Sequence, residues 1–213
     1  MKIKKIGHSC FIVDIDRKKI MTDPGKYFTT QNEEKNIDII LISHEHSDHF
    51  YLESLRKIIV NNPDAVIVTN NAVGKLLTEA KIKHEILEDQ QSGEFAGVYI
   101  EAHGDKHMYV RPEVEPPQNT GYFIGKKVFY PGDAFINPNK PIEVLALPIN
   151  ANWLKIGEVF QYAKEINPRA AFPVHDGTLN EFGLAYIRRV PFEVLNSFGI
   201  DFKVLELGKE EEF

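Results

Sequence analysis

Cysteine is all but missing from this chain. Cys10 stands alone in 213 residues, so no internal disulfide framework is available and a reducing compartment is expected. A basic excess is missing too. Lysine and arginine number 25 against 31 acids, a net charge of −6, which offers no general surface for nucleic acid or for an anionic membrane. Long apolar runs are also lacking: Asp14 and Asp16 interrupt the lysine-rich start, and no later segment reads as a membrane span or signal peptide. What is left is an ordinary globular composition, 43% apolar and 26% charged. It implies a single domain over residues 1–213, cytoplasmic, with no nucleic-acid or membrane partner; a homo-oligomer is compatible with it.

The patterning alternates between two periods. "CFIVDI" and "KIMTD" read as strands joined by the polar turn "DRKK", and "NIDIILIS" (36–43) as a strand covered on both faces. In "YLESLRKIIVN" the residues Leu52, Leu55, Ile58 and Ile59 recur at helical spacing. "AVIVT" then reads as strand, "NAVGKLLTEA" as helix and "GEFAGVYIEAH" as strand. Residues 104–119 show no periodicity and hold three prolines, a long loop of the kind that often carries function. Beyond it the outline repeats. "GYFIGKKVFYPGD" echoes "CFIVDIDRKKIMTD", then come the strand "IEVLALPIN", the helix "KIGEVFQYAKEI" and the strand "AAFPVH". The expectation is an α/β layered fold with two similar halves; the terminal "KEEEF" reads as a solvated, frayed tail.

One stretch carries the chemistry. "LISHEHSDHF" (41–50) places His44, His46, Asp48 and His49 directly after a strand. Histidines two apart at a strand end project to one side and can share a metal ion, while the Asp-His pair can reach a second ion. Each ion then needs a third ligand. Three strand ends supply candidates: His103 closing "VYIEAH", Asp133 closing "KVFYPGD" and His175 closing "AAFPVH". An aspartate can bridge two cations.

"HEHSDH", followed in order by "AHG", "PGD" and "PVHDG", resembles the metallo-β-lactamase-fold hydrolase superfamily. The start, "IGHSCFIVDIDRKKIMTDPG", is similar to its ascorbate-6-phosphate lactonase-like branch. The resemblance implies a four-layer αββα sandwich of two pseudo-duplicated halves. It implies His44, His46 and His103 on one metal, Asp48, His49 and His175 on the second, and Asp133 bridging both. The ions implied are two divalent cations, Zn2+ first, with Mn2+ or Fe2+ as substitutes. The activity implied is hydrolysis of a small ester, lactone or phosphoester by a hydroxide bridging the ions, with Asp48 and Asp133 as the catalytic carboxylates. The competing expectation is a non-hydrolytic metal-binding protein or a di-iron redox member of the same fold.

Other residues stay open at this level. Asp23 in "TDPG" reads either as a partner fixing a ligand imidazole or as a turn residue. His8 is a pocket residue or a core histidine, Cys10 is buried packing, and His84 lies on the surface. Lys106, His107, Tyr109 and Arg111 sit in the long loop, able to orient an anionic substrate or simply solvated. Asn150, Asn152 and Trp153 follow a strand and can wall the pocket, although a lone Trp is more often core. Asp176 either orients His175 or begins the "DGT" turn.

Overall fold

The computed structural model describes residues 1–213. The first half runs β1 (Lys2–Gly7), β2 (Cys10–Ile15), β3 (Lys18–Thr22), β4 (Ile39–Ile42), α1 (Leu52–Asn61), β5 (Val66–Thr69), α2 (Asn71–Glu79) and β6 (Glu85–Ile86). The second runs β7 (Ser92–Phe95), β8 (Val98–His103), β9 (Gly121–Ile124), β10 (Val128–Tyr130), β11 (Val144–Pro148), α3 (Ile156–Ile166), β12 (Ala170–Val174), α4 (Glu181–Ser197), β13 (Asp201–Phe202) and β14 (Glu210–Glu212).

The strands form two seven-stranded sheets, ordered β14-β1-β2-β3-β4-β5-β6 and β13-β12-β11-β10-β9-β8-β7. From β14 to β3 every pairing is antiparallel, and from β3 to β6 every pairing is parallel. The second sheet repeats this sense for sense, antiparallel from β7 to β10 and parallel from β10 to β13. The expected duplication of halves is therefore present in the topology, with β2–β3 corresponding to β9–β10.

Layering follows from which faces are apolar. In β2, Phe11, Val13 and Ile15 point between the sheets, whereas Cys10 and Ile12 point to the helices on the other side. Both faces are covered, which is why the strand is apolar but for Asp14. Leu55 and Ile58 of α1 and Val73 and Leu77 of α2 pack outside the first sheet. Val159 and Tyr162 of α3 and Leu195 of α4 pack outside the second. The result is an αββα sandwich, the expected α/β class, each fully buried large side chain contributing about 1.5–3 kcal/mol. No helix is long and apolar enough to cross a membrane.

Two local expectations need correction. "GEFAGVYIEAH" is a hairpin, β7 and β8, folding back where Ala96 and Gly97 both take positive φ. The terminal tail is ordered: β14 pairs with β1, Lys2 bonds Glu210 at 3.1 Å, and Phe213 meets Phe172 at 5.9 Å between ring centroids. Helix α4 lacks a clean sequence signal, because Pro191 removes a donor inside it.

Candidate metal centre

Parallel strands of both sheets end on one edge, and the side chains that follow those ends converge there. The segment after β4 turns tightly, the backbone N–H groups of His49 and Phe50 both donating to the His46 carbonyl (2.9 and 2.8 Å). This turn, rather than strand pleating, brings the His44 and His46 rings to 4.7 Å centroid separation. Gly25 lies flat against the turn. A Cβ there would sit 1.7 Å from the Asp48 carbonyl oxygen, so only glycine fits. His8, Asp23 and His175 all hold positive φ (52°, 36° and 62°), local strain gathered at one place.

Two groups of side chains form. His44, His46 and His107 make one; His8, Asp48, His49 and His175 make the other. Asp133 stands between them: its Oδ1 is 3.3 Å from His49 Nε2, and its Oδ2 is 2.9 Å from His175 Nε2 and 3.3 Å from His107 Nε2. Asp48 Oδ2 lies 3.8 Å from His49 Nε2 and 3.6 Å from His175 Nε2.

Of the seven residues expected to assemble, six come together: His44, His46, Asp48, His49, Asp133 and His175. His103 does not. Ile100 and Ala102 of β8 fill the space between the sheets, so pleating turns Glu101 and His103 to the opposite face. There His103 Nε2 lies 3.0 Å from Glu101 Oε1 and the ring packs on Phe129. Its expected place is taken by His107, four residues further on. The loop folds back through His107 N–H to the Pro117 carbonyl (3.0 Å) and Met108 N–H to the Asp133 carbonyl (3.0 Å). The alternation "IEAH", with His103 on the face of a glutamate, was the sequence signal against it.

Hydrogen bonds decide which ring nitrogen each histidine offers. Asp23, fully buried, is the hub: His49 Nδ1–H donates to its Oδ2 (2.6 Å), as do Ser43 Oγ–H and Tyr130 O–H (both 2.5 Å). Because the Ser43 hydroxyl spends its proton on Asp23, it accepts from His44 Nδ1–H (3.0 Å). Asp23 thus orients two imidazoles, one directly and one through Ser43. His107 Nδ1–H donates to the Met108 carbonyl (2.6 Å), and His175 Nδ1–H to the Asn150 carbonyl (2.5 Å). In all four rings Nε2 is the nitrogen turned to the cavity, the one whose lone pair a cation would take. His44 Nε2 then faces His46 Nδ1 at 3.1 Å, an arrangement that asks for a proton or a cation between them.

His8 is different. Its Nδ1 accepts the Gly177 backbone N–H (3.1 Å), so its Nε2 carries the proton and donates it to Asp48 Oδ2 (3.1 Å). It has no lone pair to spare and serves as a donor that holds Asp48. Burial lowers its pKa to about 4, the Asp48 carboxylate only partly opposing, which keeps the ring neutral. His44 is also pushed well down, by burial and then by the neighbouring His49. Burial would lower His49 as well, yet the Asp133 and Asp23 carboxylates raise it to about 9. For Asp48 and Asp133 burial acts to raise the pKa, and the surrounding imidazoles more than reverse it, holding both carboxyls ionised.

The donor set fits divalent cations. His49 Nε2, His175 Nε2 and Asp133 Oδ1 are buried with no hydrogen-bond partner, although they crowd one another at ion-pair distances. Unpartnered buried nitrogen and oxygen atoms are costly unless something fills the space between them, and imidazole with carboxylate is a zinc-type donor set.

The profile described as beta-lactamase superfamily domain matches residues 2–175. The chain belongs to that family. Among the proteins it is similar to is protein Rv0786c of Mycobacterium tuberculosis, 27% identical over 180 residues, covering 82% of this chain and 84% of that one. Another is the UPF0173 metal-dependent hydrolase Ta0764 of Thermoplasma acidophilum, 27% identical over 198 residues, covering 84% and 85%. Igni18, described as a metallo hydrolase from Ignicoccus hospitalis, shares the fold with a TM-score of 0.76 at 20% identity, covering 100% of this chain and 98% of that one.

The remaining residues of this beta-lactamase superfamily chain sort by position. Cys10 is buried, as expected, and burial raises its thiol pKa well above the ordinary value. Asp176 does not touch His175 through its side chain; it bonds Lys5 (2.7 Å) and Arg188 (3.0 Å), all but fully buried with the lysine. Lys106 and Tyr109 both bond Glu115 within the loop, at 2.6 and 3.3 Å.

Proposed function

We propose that this protein is a metal-dependent hydrolase of a small ester, lactone or phosphoester, holding two divalent cations, zinc first. The supporting observation is the pair of donor groups around one shared carboxylate, with four imidazoles oriented so that Nε2 faces inward. His44, His46 and His107 would hold one cation, and Asp48, His49 and His175 the other, with Asp133 in reach of both. Bound there, two divalent cations supply a water acidified from about 15.7 towards roughly 7 and an electrophile for the substrate oxygen that gains charge.

The chain's own residues do the rest. Asp23, Met108 and Asn150 keep protons on the outer ring nitrogens of His49, His107 and His175, so these rings need no change of tautomer on loading. His8 Nε2–H occupies Asp48 Oδ2, which leaves Oδ1 free to accept a proton. Asp48 is the more open of the two acids, its side chain 19% exposed against 4% for Asp133, and so it is the carboxylate placed to exchange protons with solvent. Resemblance to a UPF0173 metal-dependent hydrolase supports metal-dependent hydrolysis. The lone buried cysteine fits the reducing cytoplasm. Elemental analysis of protein purified without added metal, followed by turnover of lactone and phosphodiester panels with and without chelator, tests the reading. Hydrolysis abolished by chelation and restored by the metal is expected. Metal without turnover would make the site a scaffold, and no metal at all would sink the proposal.

A further inference from the structure

The segment after β11 brings Trp153 against Asp133. The indole Nε1–H donates to Asp133 Oδ2 at 3.1 Å, and the residue is 9% exposed. Its ring meets His107 edge-on (5.9 Å between centroids), His175 (6.4 Å) and Phe135 (5.4 Å). The indole therefore touches one imidazole from each donor group and the carboxylate between them. An indole nitrogen only donates, so Trp153 cannot be a ligand.

No other aligned hydrogen bond reaches the Asp133 side chain. The Nε2 atoms of His49, His107 and His175 lie 3.3, 3.3 and 2.9 Å from its oxygens as ion-pair neighbours. Asp133 Oδ1 has no partner at all. Without the indole, no aligned hydrogen bond would fix the rotation of the carboxylate.

We propose that Trp153 is a positioning residue for the shared carboxylate: its N–H fixes the rotation of Asp133 and occupies one lone pair of Oδ2, leaving Oδ1 and the other Oδ2 lone pair for the two cation sites. This rests on the two-cation reading above. It separates two kinds of support around the site. His8 holds Asp48, which serves one donor group, whereas Trp153 holds Asp133, which serves both.

The experiment is Co2+ titration, followed by stoichiometry and by visible absorption, on the wild type and two variants. Trp153→Phe keeps an aromatic wall and deletes the donor. Because the chain has one tryptophan, an analogue carrying sulfur in place of the ring N–H can be incorporated at this position alone, preserving shape. Both variants should bind Co2+ about 10- to 100-fold more weakly at both sites, the loss usual for a partner of a ligand, with a shifted spectrum. Affinity within about twofold of wild type and an unchanged spectrum in the analogue protein would show that Trp153 is only a wall. Weakening at a single site would overturn the claim that the indole acts on a shared carboxylate. A wild type that binds no Co2+ would remove the two-cation reading itself.

Discussion

Replacing Asp23 by asparagine keeps the shape of the side chain and removes one acceptor and one charge. Four donors converge on the wild-type carboxylate: Ser43 N–H at 2.7 Å on Oδ1, and Ser43 O–H, His49 Nδ1–H and Tyr130 O–H on Oδ2. An amide offers a single oxygen. Its better orientation turns that oxygen to the three donors and leaves its NH2 facing the Ser43 backbone N–H, a donor that cannot turn away. Bonds to a charged acceptor are worth about 1.5–3 kcal/mol and neutral ones about 0.5–1.5, so three weakened bonds cost about 3 kcal/mol and the stranded N–H about 1–3 more. For a chain of this size a loss of about 4–6 kcal/mol lowers Tm by about 8–24 °C. The second effect is on tautomers. With the charge gone, His49 and, through Ser43, His44 are free to move the proton to Nε2 and lose the inward lone pair. Metal affinity should fall about 10- to 100-fold at both sites. Calorimetric titration of Asp23→Asn with Zn2+, beside thermal melts of the metal-free protein, separates the two effects. A lowered Tm with zinc affinity within twofold of wild type would refute the reasoning, since Asp23 would then be holding the fold and not the ligands.

Three further outcomes follow from the geometry. His107→Gln should remove one equivalent of bound metal, while His103→Gln should leave metal content unchanged; elemental analysis of the two proteins decides between the loop and the strand end. Gly25→Ala drives a methyl group into the Asp48 carbonyl, so displacement of the His44–His49 turn should cost about 3 kcal/mol or more and depress metal content along with Tm; a variant with wild-type values in both would contradict the contact. Lys5→Met leaves the buried Asp176 with Arg188 alone, and the uncompensated charge should cost about 3 kcal/mol, a fall in Tm of about 6–12 °C by scanning calorimetry. An unchanged Tm there would mean that Arg188 suffices.

Much of the architecture could be read locally. Strand pairs closing on Asp23 and Asp133 mark the two halves because hairpins are encoded by neighbouring residues, and β2–β3 and β9–β10 obey that rule. The His44–His49 cluster is likewise local: four donors within six residues need only a tight turn to meet. The loop over residues 104–119 lacks helix and strand as its prolines suggested, yet the reading missed that it carries a donor into the site. The frayed tail was misread for the same reason, since β14 exists only because β1, over two hundred residues away in sequence, presents an edge to pair with.

By itself, then, the order of residues determined the repeated strand–helix halves and the donor types at six of the converging positions, because short-range periodicity and strand-end placement carry both. Tertiary structure alone decided that His107 stands where His103 was expected, since the pleat of β8 sends His103 to the outer face. It also decided the tautomers. Asp23, Asn150 and Gly177 lie far in sequence from the rings they bond, and no spacing rule announces that His49 and His175 donate through Nδ1 while His8 accepts there and donates through Nε2. A ring nitrogen's lone pair is fixed by whatever holds the other nitrogen, and that partner arrives only when the sheets close together.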